Sequence, residues 1–336
     1  MKNEWRPIST QALKRMRVDH LLAQIESGIK KQKFGKEPRS LYEPLRYIMT
    51  LGGKRLRPLL TLLSYSLYRR DTRPIVPIAT AVEVFHNFTL LHDDIMDNAP
   101  LRRGNPTVHE KWDVNTAILS GDVMQIKVYN LLLGIDRSKL KEVLTVFNQC
   151  ATEVCEGQQW DMEFENKSNV TEAEYLEMIR LKTAALLGFS LELGAMLAGA
   201  SRNDQQALRD VGSHIGIGFQ LKDDLLDVYA DKKKFGKQVG GDIIANKKTF
   251  LLINALAKAK GNDNRELRHW LNKKTFDKKR KIEAVTGIYD SLGIRPMTEK
   301  KINHYFKKGY AHLERIRGVN KKELIEFIEG IRNREA

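Results

Sequence analysis

The sequence lacks most of the features that mark a secreted or membrane protein. Its 336 residues include two cysteines, Cys150 and Cys155, whose spacing does not match a zinc-binding pair. So few cysteines form no disulfide framework, which is typical of a reducing compartment. Residues 1–7 are polar and contain no apolar signal-peptide core. No uninterrupted apolar run approaches the roughly 18 residues of a membrane span. We therefore expect a cytoplasmic protein with no membrane span.

Segments in which apolar and polar residues alternate are also scarce, so no part of the chain predicts a convincing strand. The expected fold class is all-α. The net charge is +15, which attracts either nucleic acids or small anions. The basic runs at residues 232–234 and 278–281 have no interleaved aromatic residues and accompany no nucleic-acid motif. We interpret them as solvated surface and expect no nucleic-acid partner.

Apolar periodicity predicts a succession of helices in a single domain, residues 1–336. Residues 1–40 form an N-terminal helical extension with one helix over residues 11–31, and residues 261–280 form a peripheral polar segment. Further helices are predicted over residues 58–67, 77–97, 107–133, 139–164, 204–227, 281–292 and from 298 to the C-terminus.

Capping signals predict where two more helices begin. Ser40 with Glu43 matches a capping box, and the helix that starts there ends at the glycine pair Gly52–Gly53. Thr171 caps a helix whose first turn is acidic, as the helix dipole favours.

Two stretches each carry three aspartates, two adjacent and the third four residues after the first: Asp93, Asp94 and Asp97, then Asp223, Asp224 and Asp227. On a helix, positions i and i+4 share a face, so the outer two carboxylates of each stretch point the same way. They repel one another unless cations neutralise them, and Mg²⁺ suits this task because it leaves positions for phosphate oxygens. Two such faces opposed across a cavity would hold a small Mg²⁺ cluster with a diphosphate.

A single acidic stretch of this kind is usually a solvated helix face. Here both stretches end apolar runs, residues 81–91 and 215–226, where an exposed face would be mixed. An EF-hand loop is a poor match, because apolar residues replace its alternating oxygen ligands and central glycine.

Cationic residues accompany these stretches. The segment from Gly53 to Pro58 combines a glycine turn, three cations and a helix start, which makes it a candidate anion site. Arg102 and Arg103 either neutralise the first aspartates or grip phosphate with their forked guanidinium groups. Lys182 lies among apolar neighbours and either snorkels to solvent or meets a buried anion.

Six motifs stand in order along the chain: GKRLRP at 53–58, LHDDIMD at 91–97, LRRG at 101–104, GQ with an aspartate at 157–161, KT at 182–183 and GFQLKDD at 218–224. The ordered set resembles the trans-isoprenyl diphosphate synthases of the polyprenyl synthetase family. This resemblance implies an all-α isoprenoid synthase fold around a central cavity, usually in a homodimer. It also implies a Mg²⁺-dependent prenyltransferase that joins isopentenyl diphosphate head to tail to an allylic diphosphate (dimethylallyl, geranyl or farnesyl).

The resemblance also assigns roles to residues. About three Mg²⁺ ions are expected, two of them at Asp93, Asp97 and Asp161 and a third at Asp223. Asp94, Asp224 and Asp227 act beside them, and Lys182 joins these aspartates in the catalytic set. The allylic diphosphate is expected at Arg102, Lys182, Thr183, Gln220, Lys237 and Lys247. Isopentenyl diphosphate is expected at Lys54, Arg57, His86 and Arg103. Arg332 and Arg334 match the family's site-closing chain end too loosely for a role.

In this family the residues before the first aspartates line the tunnel into which the product grows. Thr89 is small and lets the chain pass, whereas Phe85 and Phe88 lie deeper, although Phe88 also suits ordinary core packing. We therefore expect geranylgeranyl diphosphate (C20), with farnesyl diphosphate (C15) as the alternative and a longer chain less favoured. If neither phenylalanine forms the tunnel floor, Met124 and Val128 are the next choice.

Two other functions fit the sequence less well. A terpene cyclase shares the fold and the ionisation step but generally lacks an isopentenyl site, so Lys54, Arg57 and Arg103 argue against it. A basic nucleic-acid-binding protein or a non-catalytic helical subunit has no need of two intact aspartate stretches.

Overall fold

The computed structural model describes residues 10–230 and 239–334, with side chains from residue 18 onward. The chain forms two compact units. Unit 1 contains Met1–Val146, Ser190–Gln205 and Val319–Leu324, and unit 2 contains Phe147–Phe189, Gln206–Gly318 and Ile325–Ala336. Helices make up most of the described residues, which confirms the all-α class. The single-domain assignment stays a prediction.

The N-terminal part of unit 1 contains six helices: α1 Thr10–Lys30, α2 Arg39–Thr50, α3 Leu56–Ser66, α4 Val76–Met96, α5 Val108–Lys111 and α6 Val114–Leu132. A 3₁₀ turn, Arg73–Ile75, leads into α4. After α4, β1 (Leu101–Arg102) pairs antiparallel with β2 (Asn105–Pro106). This short hairpin is the only sheet within residues 10–230 and 239–334.

The helix α4 is the centre of unit 1. It packs against α1, α3 and α6, and its buried side chains include Ile78, Val82, Phe85 and Leu91. A helix that is apolar on all sides is stable only when other elements surround it. Because its neighbours hold α4 on several sides, they also fix the position of the aspartates at its C-terminal end.

Four helices contribute residues to both units: α7 Arg137–Asn166, α9 Ala185–Ala198, α10 Arg202–Tyr229 and α16 Lys322–Arg332. Unit 2 also contains α8 Glu172–Ile179, a π-helical turn at Arg180–Ala184, α11 Gly241–Ile244, α12 Phe250–Lys258, α13 Gly261–Asn272, α14 Lys278–Ser291 and α15 Ile294–Arg315.

Two glycines in unit 2 let α10 pack closely against the segment that precedes it in the chain. A Cβ on Gly212 would lie 2.5 Å from the carbonyl oxygen of Leu187, and one on Gly216 would lie 2.5 Å from Ala184 Cα. Larger residues at these positions would push the two segments apart. The glycines thus hold α10, and with it the second aspartate stretch, against the π-helical turn.

Three details of the predicted helices are wrong. The helix α2 begins at Arg39 after an extended Pro38, so Ser40 already lies inside the first turn and cannot cap it. The helix predicted over residues 107–133 is two helices, because Asp113 accepts a 2.9 Å hydrogen bond from Thr116 N and caps α6. The helix predicted from residue 298 to the C-terminus is also two helices, Ile294–Arg315 and Lys322–Arg332. The Thr171 cap is confirmed, as a complete capping box with Glu174.

Two segments, Arg73–Met96 and Glu172–Ala198, are long and apolar enough by composition to cross a membrane. Polar residues interrupt both segments, so neither contains the uninterrupted apolar run that predicts a membrane span from sequence. In the folded chain 61% and 83% of their most apolar windows are buried, as in core helices of soluble proteins.

Candidate active site

The second aspartate of the first stretch is buried and bound to an arginine. Asp94 is 2% exposed, and Arg102 Nε donates to its two carboxylate oxygens at 2.9 and 2.7 Å. The β1–β2 hairpin turns the chain back after α4, which brings Arg102 to the end of that helix. Burial raises the pKa of Asp94, and the charge and hydrogen bonds of Arg102 oppose that rise. Asp94 therefore anchors the hairpin to α4.

The outer two aspartates of this stretch lie closer to solvent. The Asp93 side chain is 19% exposed and its Oδ2 is 3.8 Å from Arg102 Nη2, which is longer than the bonds of Arg102 to Asp94. Asp97 is the exposed C-cap of α4. A cation from solvent can reach these two carboxylates, whereas Asp94 is already enclosed.

A histidine and an arginine meet on α3 and α4. Arg57 Nη1 lies 3.0 Å from His86 Nε2. A guanidinium group can only donate, so His86 Nε2 must accept and its ring proton sits on Nδ1. Burial lowers the pKa of His86 well below its usual value, and Arg57, Arg103 and Arg102 lower it further. His86 is therefore a neutral partner that orients Arg57.

Arg103 lies against the glycine pair that ends α2. Its Nη1 donates a short hydrogen bond to the carbonyl oxygen of Gly52. A Cβ on Gly53 would come within 2.9 Å of the same guanidinium group, and Gly53 has φ +139°, a conformation that favours glycine. Arg57 and Arg103 thus lie near His86, and these are three of the four residues predicted at the isopentenyl site. The fourth, Lys54, is exposed and directly follows Gly53.

The remaining cation of the GKRLRP motif is structural. Arg55 is 4% exposed, and it donates to Glu26 Oε1 at 2.8 Å and to Glu83 Oε1 at 2.7 Å. It also donates to the carbonyl oxygen of Met49 at 3.2 Å. Removing one partner of such a buried pair leaves an uncompensated charge, so Arg55 ties α1, α3 and α4 together and is not available to substrate.

The second aspartate stretch repeats the pattern with neutral partners. Asp224 is 4% exposed and accepts a short hydrogen bond from the Tyr175 hydroxyl. Gln220 Nε2 donates to the other Asp224 oxygen at 3.1 Å, and Thr183 Oγ1 donates to Gln220 Oε1 at 3.1 Å. Burial raises the pKa of Asp224 despite these donors. Thr183 and Gln220, predicted at the allylic diphosphate, are thus joined in a hydrogen-bonded chain that ends on Asp224.

Asp223 is held by the chain end. Arg334 Nη2 forms a short ion pair with Asp223 Oδ1 and donates to the carbonyl oxygen of Phe219 at 3.2 Å. The guanidinium carbon of Arg334 also lies 4.0 Å from the centre of the Phe219 ring. The sequence left Arg334 without a role, and the structure brings it to the outer carboxylate of the second stretch.

The Asp227 side chain contacts Asp242, an aspartate that was not predicted from the sequence to be part of the site. The backbone N–H of Asp242, in the first turn of α11, donates to Asp227 Oδ2 at 2.9 Å. Burial raises the pKa of the Asp242 carboxyl, and Asp227 and Asp224 raise it further. Asp242 follows Gly240, whose φ of +88° makes the turn, so the glycine pair before Asp242 was the available signal. Lys237, which precedes them, lies outside the described residues.

Asp161 binds two of the predicted cations. Its Oδ2 lies 2.6 Å from Lys182 Nζ and 3.6 Å from Lys247 Nζ. Burial acts to raise the pKa of Asp161, but Lys247 and Lys182 outweigh it and the pKa is lowered. The Asp161 carboxylate is therefore ionised at neutral pH and sits between two positive charges.

A glycine explains how Lys182 reaches Asp161. A Cβ on Gly157 would lie 2.2 Å from the backbone nitrogen of Lys182, so α7 and the π-helical turn touch at this point. Asp161 follows Gly157 by four residues and shares its helix face. Lys182, in the turn that rests on Gly157, thus extends to a carboxylate one turn further along α7. Such π turns are often found at functional sites.

The predicted tunnel residues are packed aromatic side chains. The rings of Phe85 and Phe88 lie 5.7 Å apart, and Phe88 lies 4.8 Å from the His92 ring. Thr89 Oγ1 donates to the carbonyl oxygen of His86 at 2.8 Å. Met124 and Val128 on α6 are buried as well. The role of these residues in product length stays a prediction.

A sequence model described as polyprenyl synthetase matches residues 38–288 of the chain. The chain belongs to this family. It is 42% identical over 253 residues to the short chain isoprenyl diphosphate synthase of Methanocaldococcus jannaschii, covering 75% of this chain and 77% of that protein. It is 44% identical over 223 residues to the geranylgeranyl diphosphate synthase of Methanosarcina mazei, covering 66% and 69%. Members of this family are prenyltransferases, and their structures have the all-α isoprenoid synthase fold.

Solved structures of prenyl synthases have the same fold as this chain. The crystal structure of geranylgeranyl pyrophosphate synthetase from Pyrococcus horikoshii has a TM-score of 0.88 and 34% identity, covering 97% of this chain and all of that one. Relatives with a longer-chain name also match: the geranylfarnesyl diphosphate synthase of Natronomonas pharaonis is 39% identical over 249 residues, covering 69% of this chain and 73% of that protein.

The contact at Gly157 can be tested by adding one methyl group. We expect Gly157→Ala to lower kcat about 10- to 100-fold, because the new Cβ must push the Lys182 backbone away and move its ammonium group relative to Asp161. Steady-state kinetics with isopentenyl diphosphate and an allylic diphosphate measure the effect.

Gly287→Ala is the matched control. A Cβ on Gly287 in α14 would meet nothing within 4 Å, so this change should leave kcat intact and slightly favour the helix. Equal rates for both variants would show that the Gly157 contact does not position Lys182.

Proposed function

We propose that this chain condenses isopentenyl diphosphate with an allylic diphosphate, head to tail, and that its main product is geranylgeranyl diphosphate. One observation carries the proposal: in each aspartate stretch the middle residue is buried and fixed, while cations lie beside the carboxylates around it. The family and the names of its relatives support the same activity. Farnesyl diphosphate (C15) is the alternative product. Because relatives named for a longer product also match, geranylfarnesyl diphosphate (C25) is a second alternative.

The reaction begins when the allylic C–O bond breaks to give a carbocation and a diphosphate. Mg²⁺ bound with the diphosphate would neutralise the charge that develops on it. The chain adds preorganised positive charge from Lys182, Lys247 and Arg102. The isopentenyl alkene then attacks the carbocation, and transfer of a proton from the new cation to the departed diphosphate completes the product. No side chain has to act as a nucleophile, and apolar walls keep water from the carbocation.

We assign the Mg²⁺ ligands to Asp93, Asp97, Asp161 and Asp223, with about three ions when substrate is bound. Carboxylate oxygens suit Mg²⁺, and the lowered pKa of Asp161 keeps that group ionised. Within the described ranges, no three carboxylate, histidine or cysteine side chains stand close enough to hold an ion by themselves. Mg²⁺ often completes its shell with phosphate oxygens, so we expect the ions to bind together with the diphosphate.

We assign the two diphosphates to different cation groups. Isopentenyl diphosphate is assigned to Lys54, Arg57, His86 and Arg103, supported by the Arg57–His86 contact and the position of Arg103 on the glycine pair. The allylic diphosphate is assigned to Arg102, Lys182, Lys247 and Lys237. Thr183 and Gln220 contribute by holding Asp224 and by presenting neutral dipoles.

Substitution of one aspartate in each stretch tests the proposal. Asp93→Ala and Asp223→Ala should each lower turnover by several orders of magnitude, because charge on the leaving diphosphate loses its neutralising ions. Turnover is measured from incorporation of labelled isopentenyl diphosphate over a Mg²⁺ titration.

Asp19→Ala and Asp263→Ala remove carboxylates far from either stretch in sequence, one in each unit, and should leave turnover unchanged. Near-wild-type rates in the Asp93 or Asp223 variant would contradict the proposed metal chemistry. Absence of any condensation product in the wild type, with every allylic primer, would contradict the function itself.

Product length can be shifted in both directions. Phe88→Ala or Phe85→Ala should lengthen the main product, because losing a ring opens space along α4. Thr89→Phe should shorten it toward C15, because an aromatic ring would then block the first turn below the aspartates. Chromatography of the dephosphorylated products measures chain length. An unchanged distribution in all three variants would place the floor elsewhere, with Met124 and Val128 next to be tested.

We further propose a homodimer, whose interface includes α6. This helix exposes large apolar side chains: Val114 45%, Ile118 41%, Leu119 58%, Ile126 59% and, just after it, Leu133 61%. Three of them are spaced by seven residues and therefore lie on one side of the helix. So continuous an exposed apolar stripe is typical of a protein interface.

The double variant Leu119→Glu/Ile126→Glu should run as a monomer, because two buried charges would oppose association. Asn262→Glu adds charge on exposed α13 and should not change the mass. Light scattering after size-exclusion chromatography measures both. A wild type with monomer mass at micromolar concentration would contradict the homodimer.

We place the enzyme in the cytoplasm. Cys150 and Cys155 are both free thiols, and one of them is exposed, which suits a reducing compartment.

A further inference from the structure

A cationic cavity lies in unit 2, on a different face of α10 from the outer aspartates. Its volume is about 500 Å³. It is lined by α10, by α15 and by the chain end, including Lys222, Tyr229, Arg295, Glu299, Arg332 and Arg334. With a rotation of about 100° per residue, Lys222, Leu226 and Tyr229 lie on one side of α10. That side is about 110° around the helix axis from the side that carries Asp223 and Asp227.

Positive charge dominates this cavity. Four of its lining side chains are cations and one, Glu299, is a carboxylate. Glu299 Oε1 lies 3.2 Å from Arg295 Nε, so that single negative charge is already matched. Arg332 Nη2 donates to the neutral amide oxygen of Asn303 at 2.8 Å. Among the side chains that line this concave space, cations therefore outnumber carboxylates four to one.

One cation of the cavity has an unsatisfied donor. Arg334 directs Nη2 at Asp223, but its Nε is buried with no hydrogen-bond partner among the described residues. A buried donor without an acceptor is costly, and an anion in the cavity would supply one. Guanidinium groups bind phosphate through paired N–H donors, which suits the two arginines of the chain end.

We propose that this cavity is a second diphosphate site, separate from the cations assigned to catalysis. Lys222, Arg295, Arg332 and Arg334 would hold the diphosphate group. The apolar side chains of Leu226 and Ile302, which also line the space, would contact a hydrocarbon chain if one is attached. The separation from catalysis rests on the proposed function, but diphosphate binding itself does not require turnover.

The site is tested with inorganic diphosphate and metal-free protein, by titration calorimetry in EDTA. The starting variant is Arg57→Gln/Lys182→Gln, which weakens binding at the catalytic cations. It should still bind one equivalent of diphosphate. Adding Lys222→Gln/Arg295→Gln should weaken that binding at least tenfold. Both side chains are partly exposed, so the fold should persist, and circular dichroism checks that it does.

A charge-matched control separates a built site from general attraction. Adding Lys278→Gln/Lys279→Gln, in the exposed first turn of α14, removes the same charge and should leave binding unchanged. Equal weakening by both pairs, or no binding in the starting variant, would overturn the proposal.

Two further ligands distinguish the source of the diphosphate. Tighter binding of geranylgeranyl diphosphate than of inorganic diphosphate, with no binding of geranylgeraniol, would mean that the cavity takes a prenyl diphosphate. Equal binding of the two diphosphates would mean that it takes the diphosphate group alone. Binding of geranylgeraniol as tight as that of its diphosphate would overturn the cationic site. A wild type without condensing activity would refute the proposed function and leave these results standing.

Discussion

Burial of a carboxylate is the constraint on which both aspartate stretches depend. A charged group inside a protein costs several kcal/mol unless it is paired or hydrogen-bonded. Each stretch buries its middle aspartate, and each solves the problem differently. Asp94 is paired with Arg102, which a hairpin returns to the end of α4. Asp224 relies on neutral donors, the Tyr175 hydroxyl and the Gln220 amide. In both cases the burial fixes the helix end at which the outer carboxylates stand.

Burial of the middle residue gives the three aspartates of each stretch two different roles. Adjacent positions on a helix point about 100° apart, so the middle carboxylate cannot join the outer pair on one face. It turns into the protein and anchors the helix end. The outer pair then has a defined direction before any ion arrives. Preorganised groups of this kind stabilise developing charge without rearrangement during the reaction, which suits the ionisation of an allylic diphosphate.

Local signals in the sequence were enough to predict the all-α class and the paired faces, because helical periodicity and i, i+4 spacing depend only on neighbouring residues. The glycine pair at 52–53 ended its helix as predicted for the same reason. Contacts between distant segments were not predictable. The close approach of Gly157 to the Lys182 backbone and the hydrogen bond from Asp242 N–H to Asp227 depend on tertiary packing. The predicted Ser40 cap was wrong because Pro38, two residues earlier, is the N-cap and the helix begins at Arg39.

The cations of this chain include enclosed and partly exposed side chains, and the sequence alone does not distinguish between the two. Arg55, at 4% exposure, and Lys281, at 0%, are enclosed and bonded to fixed protein groups. Lys281 donates to the carbonyl oxygen of Ile244 and to Asn246 Oδ1, which holds the loop before Lys247. The side chains of Lys182 and Lys247 are 21% and 45% exposed, and both contact the same carboxylate, Asp161. A phosphate can compete for a partly exposed cation but not for an enclosed one. The enclosed cations therefore hold the frame, and Lys182 and Lys247 are the ones that the proposed diphosphate could reach.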